Sequence, residues 1–508
     1  MSESLLNAPS WEAVVGALPA GWMQAARWFR HKSDPIVSIA FHDGVDLTPH
    51  AAPCTGRVAL LVVSVGMESG RSGLYQVPVL LGPAPGGDGG FPVEGGWAVR
   101  EAVDVPAFHT AVRRLMDAGT ELRGLRGTFR FERYPVKAPF QSRPLAQTSS
   151  NSLVLVKGDD VLKYIRGLEP GVSPELQMNR FFALRGTFVN LPPLTGALSW
   201  LPAEGGECTL AIAQRFVESS GDLWAWTQDF LKSFLDALPP GEGPVEADVV
   251  TERCREYLDR TTRLAEVLAD LHRTLQSAPD DPAFAPQPVT PSDLGAWSAA
   301  MRSGAEAVFE RIARLAPGEG PILRDFFDRF PSMRERALEA FGRLAGLDPA
   351  GWVKCRVHGD FHLGQALKTP DDFILMDFEG EPLKSQDQRV ARYSPFKDVA
   401  GLLRSYNYAA YAALFDWMER HGADTPPSRA ESAVLQWNAG VEAVFRRRYL
   451  ASAGVAPSAG LDAFLALLKL EKAVYELDYE INNRPGWLRI PVSGIGSCLR
   501  EVFSDENA

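Results

Sequence analysis

Beyond Asp222 the apolar residues recur at helical spacing over about 222–237, 248–277, 295–315, 321–345, 396–420, 429–451 and 461–483. Only one stretch, 353–379, breaks that run. Within it Val353-Lys-Cys-Arg-Val357 alternates like a short strand, and Phe373 to Met376 is a continuous apolar run. The half before Asp222 has the opposite character. Arg57–Val65 and Leu74–Leu81 read as neighbouring strands, and Gly124–Tyr134 alternates. Ser152–Val156 and Val161–Ile165 flank the hairpin signal Gly158-Asp159-Asp160, and Cys208–Val217 is one more strand. Helices are predicted there over Trp11–Leu18, Pro106–Ala118 and from Ser173 to about Leu184. The last has a serine cap, and both later helices carry proline at the first turn. The Gly/Pro-rich segment Gly82–Gly96 reads as a loop. Strands gathered in one half and helices in the other imply an α+β chain of two lobes.

A chain of 508 residues can bury a sizeable core in two or three domains. Boundaries are expected near 104/105 and 220/221. Lys+Arg is 52 and Asp+Glu 63, a net charge of −11. That acidity argues against nucleic acid or an anionic membrane as the main partner, since both require a basic footprint. Five widely spaced cysteines without a C-x-x-C pair fit reduced thiols and a cytoplasmic location. The first basic residue is Arg27, so no basic n-region and no signal peptide are expected. No apolar run reaches the ~18 residues of a membrane span.

The interruption at 353–379 holds most of the chemistry-bearing residues. His358-Gly-Asp-Phe-His-Leu-Gly-Gln365 is followed by Asp377-Phe-Glu379. Polar groups on loops between buried strands are typical of a site on a rigid scaffold. Three readings compete. In the first, H-x-D-x-H places His358, Asp360 and His362 on one face of an extended segment as zinc ligands. The other histidines (His31, His42, His50, His109, His272 and His421) add no H-x-H or H-E-x-x-H pattern. In the second, the site transfers a phosphoryl group. That reaction needs an Asp near the attacking hydroxyl, oxygen ligands for magnesium, and a lysine on the nucleotide phosphates with an acid to orient it. Asp360 suits the base, and the oxygens of Gln365 and Asp377 suit magnesium, with Glu379 as a further oxygen. Upstream, Lys163 sits in an apolar strand and Glu175 opens the next helix, so the two form the obvious pair. In the third, the stretch is a polar turn.

No Walker A motif competes, because Gly-Lys occurs nowhere in the chain. The segment expected over the ATP phosphates is Gln147-Thr-Ser-Ser-Asn-Ser152, with Ser149 and Ser150 at its centre. It has no glycine and offers hydroxyls and backbone N–H groups instead.

His358–Gln365, Asp377-Phe-Glu-Gly-Glu-Pro382, Ser394-Pro-Phe-Lys-Asp-Val-Ala-Gly-Leu-Leu-Arg-Ser-Tyr-Asn-Tyr-Ala-Ala410 and Lys472-Ala-Val-Tyr-Glu-Leu-Asp-Tyr-Glu-Ile-Asn-Asn-Arg-Pro-Gly-Trp-Leu-Arg-Ile-Pro491 strongly resemble the bacterial maltokinases. Those enzymes are similar to aminoglycoside phosphotransferases and, more remotely, to protein kinases. The resemblance is dense over about 351–491 and thinner before Lys163. It implies a bilobal, eukaryotic-like kinase fold: a cap over 1–104, an ATP-binding N-lobe over 105–220 and a helical C-lobe over 221–508. It implies maltose phosphorylation at C1 by ATP and Mg2+ for α-glucan and trehalose metabolism, often alongside trehalose synthase. A kinase for another sugar such as glucosamine, or a non-catalytic trehalose synthase partner, are the alternatives. By resemblance Asp360 is the base, Gln365 and Asp377 hold magnesium, Lys163 meets the ATP phosphates and Glu175 holds Lys163. Backbone groups near Gln214 and Phe216 border the adenine, and Tyr475, Tyr479 and Arg484 border the sugar, with His358 a further candidate there; in the kinase reading His358 and His362 are otherwise structural, holding the loop by hydrogen bonds to backbone carbonyls or carboxylates. The segments Arg30-His-Lys-Ser33 and Leu383-Lys-Ser-Gln-Asp-Gln-Arg389 depart from the family's usual pattern.

Overall fold

The structure is a computed structural model, and it describes residues 8–83, 90–135, 152–156, 160–239, 241, 243–314, 321–382, 384–423 and 427–503. The chain forms two compact units, Met1–Glu218 and Ser219–Ala508.

The first unit contains β1 (Ile36–Asp46), β2 (Arg57–Met67), β3 (Ser72–Pro83), β4 (Phe91–Val93), β5 (Trp97–Glu101), β6 (Glu121–Arg123), β7 (Gly127–Arg133), β8 (Ser152–Val156), β9 (Asp160–Tyr164), β10 (Gly167–Leu168), β11 (Leu194–Pro202) and β12 (Cys208–Arg215). Its helices are α1 (Trp11–Gly16), α2 (Ala20–Ala25), α3 (Pro106–Ala118) and α4 (Pro174–Arg185). One antiparallel sheet runs β1-β2-β3-β5-β4 with β10 beside β3; the other runs β6-β7-β11-β12-β9-β8. Strand β2 explains the layering. Val58, Leu60 and Val62 join a core with Phe108, Val112 and Leu115 of α3 and with the second sheet. Ala59, Leu61, Val63 and Val65 point the other way, into a core with Val14, Leu18 and Met23. A strand buried on both faces loses the polar alternation of a half-exposed one, hence its continuous apolar run. Each such side chain contributes ~1.5–3 kcal/mol by burial.

The same physics hides β11, which the sequence does not reveal as a strand. From Leu194 to Trp200 it is buried throughout, between β7 and β12. Within the expected loop 82–96, Phe91–Val93 pairs with β5 as a short strand. Helices α3 and α4 begin at the predicted prolines, and the Ser173 hydroxyl accepts the Leu176 N–H at 3.2 Å.

The second unit is helical: α5 (Leu223–Asp236), α6 (Ala247–Arg253), α7 (Arg255–Leu275), α8 (Pro291–Ala313), α9 (Pro321–Arg343), α10 (Gln386–Val390), α11 (Phe396–His421), α12 (Ser428–Ala453), α13 (Ala459–Asn483) and α14 (Arg489–Val502). Two small antiparallel pairs interrupt it, β13 (Gln287–Pro288) with β14 (Val353–Lys354) and β15 (Ala366–Lys368) with β16 (Phe373–Leu375). The helix expected over 248–277 breaks at Cys254. The sequence reading missed α14, because Pro491, Gly494 and Gly496 mask its period. Pro491 lies in the first turn, where backbone N–H groups have no helical acceptor anyway. Among the described residues no helix is long and apolar enough to cross a membrane.

Candidate active site

The chemistry-bearing loop hangs from α11. Asp398, in the first turn of that helix, is fully buried. Its Oδ2 accepts the His358 N–H at 2.7 Å, and its Oδ1 accepts the Gly359 N–H at 2.8 Å. His272 of α7 donates Nε2–H to Oδ2 at 3.0 Å, and its Nδ1 lies 2.8 Å from the Tyr449 hydroxyl of α12. Burial by itself would raise the Asp398 carboxyl. His272, His358 and the Gly359 N–H outweigh it and hold the group below its ordinary value. Further along α11, Gly401 brings the helix onto the loop: a Cβ there would lie 2.6 Å from the Phe361 carbonyl oxygen.

The histidines serve this loop. His358 is 1 % exposed, wedged against Phe361 and Phe378, and its Nε2 donates to the Met376 carbonyl at 2.8 Å. A ring so enclosed suits holding two loop segments together; the expected sugar contact at His358 has no open face to use. His362 Nδ1 accepts the Gly364 N–H at 3.1 Å, capping the single turn Leu363–Gln365. Burial pushes the His362 ring below its ordinary value, and the ring is committed as an acceptor. Among the described residues neither histidine joins a group of three side chains that could hold a metal.

The oxygen donors of the loop are half-buried. Gln365 Nε2 donates to Asp377 Oδ2 at 3.3 Å, and the Met376 N–H to Gln365 O at 2.9 Å holds the two segments in register. Asp377 follows β16 at φ +63°, the one non-glycine residue at positive φ among those described. That conformation costs roughly 1–2 kcal/mol per residue, and such strain concentrates at functional positions. Half-buried oxygen donors of this kind fit a hard divalent cation such as magnesium.

Asp360 lines a cavity of about 170 Å3 together with Glu381, Lys472, Tyr475, Met301 and Leu468. Lys472, on α13, donates to Asp360 Oδ1 at 3.0 Å and lies 3.7 Å from Glu381. Lys384 and Lys397 also reach Glu381, at 2.6 and 3.6 Å. Burial would raise the Glu381 carboxyl, but Lys397, Lys384 and Lys472 bring it down to about 2. Sequence reasoning assigned no role to Glu381, Lys397, Asp398 or Lys472. The only signal for them was their place inside the motifs Asp377–Pro382, Ser394–Ala410 and Lys472–Pro491.

Of the expected sugar-side residues, Tyr475 lines this cavity. Tyr479 is half exposed and Arg484 is bound to the buried Glu480 at 2.5 Å and stacked 4.3 Å over Trp487; neither lines it. Helix α13 is itself held by Arg404, which donates to Glu476 at 2.5 and 3.1 Å. Gly494 of α14 makes room, since a Cβ there would collide with that guanidinium.

In the first unit Lys163 of β9 donates to Glu175 Oε2 at 2.7 Å, with both side chains largely buried. Thus the strand and the helix that follows it bring together the predicted pair. Gln214 lies in register with Leu194 on one side and Val161 on the other, and its carboxamide donates to Asn179 of α4 at 3.0 Å. Its backbone is therefore inside the sheet, whereas Phe216 lies just past the end of β12. Ser149 and Ser150 lie outside the described residues.

An antiparallel-sheet unit with a lysine–glutamate pair, followed by a helical unit with an Asp/Gln/Asp loop, defines a kinase-like α+β fold. Comparisons agree with that class. No family model matches the chain. It is 27% identical to a glucosamine kinase of Streptacidiphilus jiangxiensis over 371 residues, 72% of this chain and 74% of that protein. It is 26% identical to a glucosamine kinase of Mycolicibacterium smegmatis over 367 residues, 71% of this chain and 80% of that protein. Among solved structures, a glucosamine kinase in complex with glucosamine, ADP and inorganic phosphate aligns over 96% of this chain and 99% of its own, with TM-score 0.63 at 22% identity. A second crystal form of a glucosamine kinase aligns over 97% and 100%, with TM-score 0.67 at 21% identity. At that identity the likeness is one of fold.

Proposed function

We propose that this chain is an ATP-dependent sugar kinase. The observation that carries the reading is the pairing of Gln365 with Asp377, whose side chains meet at 3.3 Å through Gln365 Nε2 and Asp377 Oδ2 with Asp377 held at positive φ, beside an Asp360 that opens onto a cavity. Asp360 accepts a hydrogen bond from the acceptor hydroxyl and takes its proton as that oxygen bonds the γ-phosphorus and the bond to the ADP oxygen breaks. Asp377 and Gln365, its carboxamide turned to present Oε1, would hold magnesium, which when bound neutralises charge on the phosphate oxygens. Lys163, kept in place by Glu175, meets a nucleotide phosphate. Phe216, past the strand end, is the better placed of the two adenine candidates.

For the acceptor, the curated relatives support glucosamine better than the maltose implied by the motifs, and glucosamine is the first sugar to assay. Maltose stays as the second reading because the motif Lys472–Pro491 resembles the maltokinases. Trehalose synthase as a partner rests on that resemblance alone. The test is ADP release across a panel of mono- and disaccharides, with the phosphate position read by NMR. Asp360→Asn should keep ATP binding and lose roughly 10²–10⁴-fold in turnover. Near-native turnover in that variant refutes the role of Asp360.

A further inference from the structure

Helix α4 brings more than Glu175 to the sheet beneath it. Asn179 lies four residues further on, hence on the same helix face, and is fully buried. Asparagine is a weak helix former, and a buried carboxamide is costly unless its groups are bonded. Here both are. Nδ2 donates to the Glu175 carbonyl at 2.9 Å, and Oδ1 accepts from Gln214 Nε2 at 3.0 Å. A leucine would serve the helix and the core better, so packing alone does not account for the amide.

Register orders the strand side. Ile212 and Gln214 of β12 are two residues apart and share a sheet face; Ile212 is in register with Lys163 of β9, and Gln214 with Val161. Leu176 of α4 shares a core with Ile212, Leu194 and Ala197. Beside that apolar contact Glu175 crosses to Lys163 of β9, and Asn179 crosses to Gln214 of β12. Phe216, the adenine candidate, stands two residues beyond Gln214. The helix is also tied elsewhere. Thr209 Oγ1 accepts the Ser173 N–H at 2.9 Å, and Arg180 donates to Glu207 at 2.9 Å and to the Tyr134 hydroxyl at 3.0 Å. Loss of the Asn179 amide therefore frees one link and leaves the helix docked.

We propose that Asn179 is a positioning residue of the nucleotide site, fixing the spacing between the Lys163–Glu175 pair and the strand end that carries Phe216. The inference rests on the kinase reading and deepens it. A lysine on a flexible stem contributes to phosphate binding only when it is held at the right distance from the base. Glu175 holds the ammonium, and Asn179 holds the Glu175 backbone to β12.

The experiment measures calorimetric binding of ATP and of adenosine, with magnesium present, to the full chain as wild type, Asn179→Leu, Lys163→Met and the double variant. ADP release with the sugar panel is followed in parallel. Adenosine lacks the phosphates that Lys163 meets, so the ratio of the two affinities reports the lysine and not general damage. Wild type should bind ATP at least about tenfold tighter than adenosine, a factor that corresponds to ~1.4 kcal/mol. Asn179→Leu should lower ATP affinity by about tenfold and leave adenosine within about twofold. In the Lys163→Met background the same substitution should change ATP affinity by less than about twofold, because it acts through the lysine. A wild type that binds ATP no tighter than adenosine, a folded Asn179→Leu variant with native ATP affinity, equal losses for the two ligands, or the full loss in the Lys163→Met background overturns the proposal. If Asn179→Leu does not fold, Gln214→Met breaks the same bond from the half-buried strand side and must give the same pattern. A wild type that shows the pattern yet releases no ADP with any sugar keeps the positioning role and loses the kinase reading. One that binds neither ligand overturns both.

Discussion

Replacing Asp398 with Asn changes one oxygen into a nitrogen where three donors converge. The carboxylate accepts from His358 N–H, Gly359 N–H and His272 Nε2–H. Asn retains one acceptor atom; if it serves His358 and His272, its amide NH2 must face the Gly359 N–H. One bond is lost with two donors left opposed, and the other two lose charge assistance. Hydrogen bonds to charged groups are worth ~1.5–3 kcal/mol each, and breaking a buried charged network costs ~3–5 kcal/mol. For a unit of this size that lowers Tm by roughly 10 °C. Because the donors are backbone groups flanking Asp360, the loop should shift and ADP release should fall along with stability. The sign of the pH dependence follows from the lowered folded-state value. The Asp398 contribution is complete above the ordinary 3.8 and is lost as pH falls below it, through the folded value. Asp398→Asn should therefore remove part of the acid dependence of stability. Melting curves and ADP release for the variant, taken from neutral to acid pH, are the assay. A variant that melts within about 2 °C of wild type with native turnover would refute the claim that this carboxylate holds the loop.

Glu381 offers a second acid-linked group. Its carboxyl is depressed from 4.5 to about 2, so its stabilising contribution is full above 4.5 and disappears as pH falls toward about 2. Glu381→Gln should lower stability at neutral pH, by leaving Lys384, Lys397 and Lys472 to repel one another, and flatten the urea midpoint against pH over that window; a slope equal to wild type counts against the lysine cluster. Asp377 tests backbone strain apart from chemistry. At φ +63°, Asp377→Gly should melt above Asp377→Ala by the equivalent of ~1 kcal/mol, and an Ala variant as stable as Gly would remove the strain argument.

What could be read before folding was local. The spacing of apolar residues separates strands from helices on either side of about residue 220, and proline and serine mark where α3 and α4 begin. Asp360, Gln365 and Asp377 stood out as candidates because a reaction at phosphate would require oxygen donors within one short loop. Lys163 and Glu175 were legible because a strand and the helix after it are neighbours in sequence as well as in space. Elements buried on every side, such as β11, or opened by proline and glycine, such as α14, carry too little periodic contrast to be read.

Long-range placement decided the rest. Asp398 lies about forty residues from the backbone it anchors, His272 over a hundred from Asp398, and Lys472 over a hundred from Asp360. No period or spacing encodes such meetings, because they depend on how α7, α11 and α13 pack around the loop. The histidines show the difference most clearly. As sequence, His358 and His362 alternate like metal ligands. In the fold the His358 ring is buried with Nε2 on a carbonyl, and His362 caps a turn through Nδ1, so one nitrogen of each serves backbone groups brought to it.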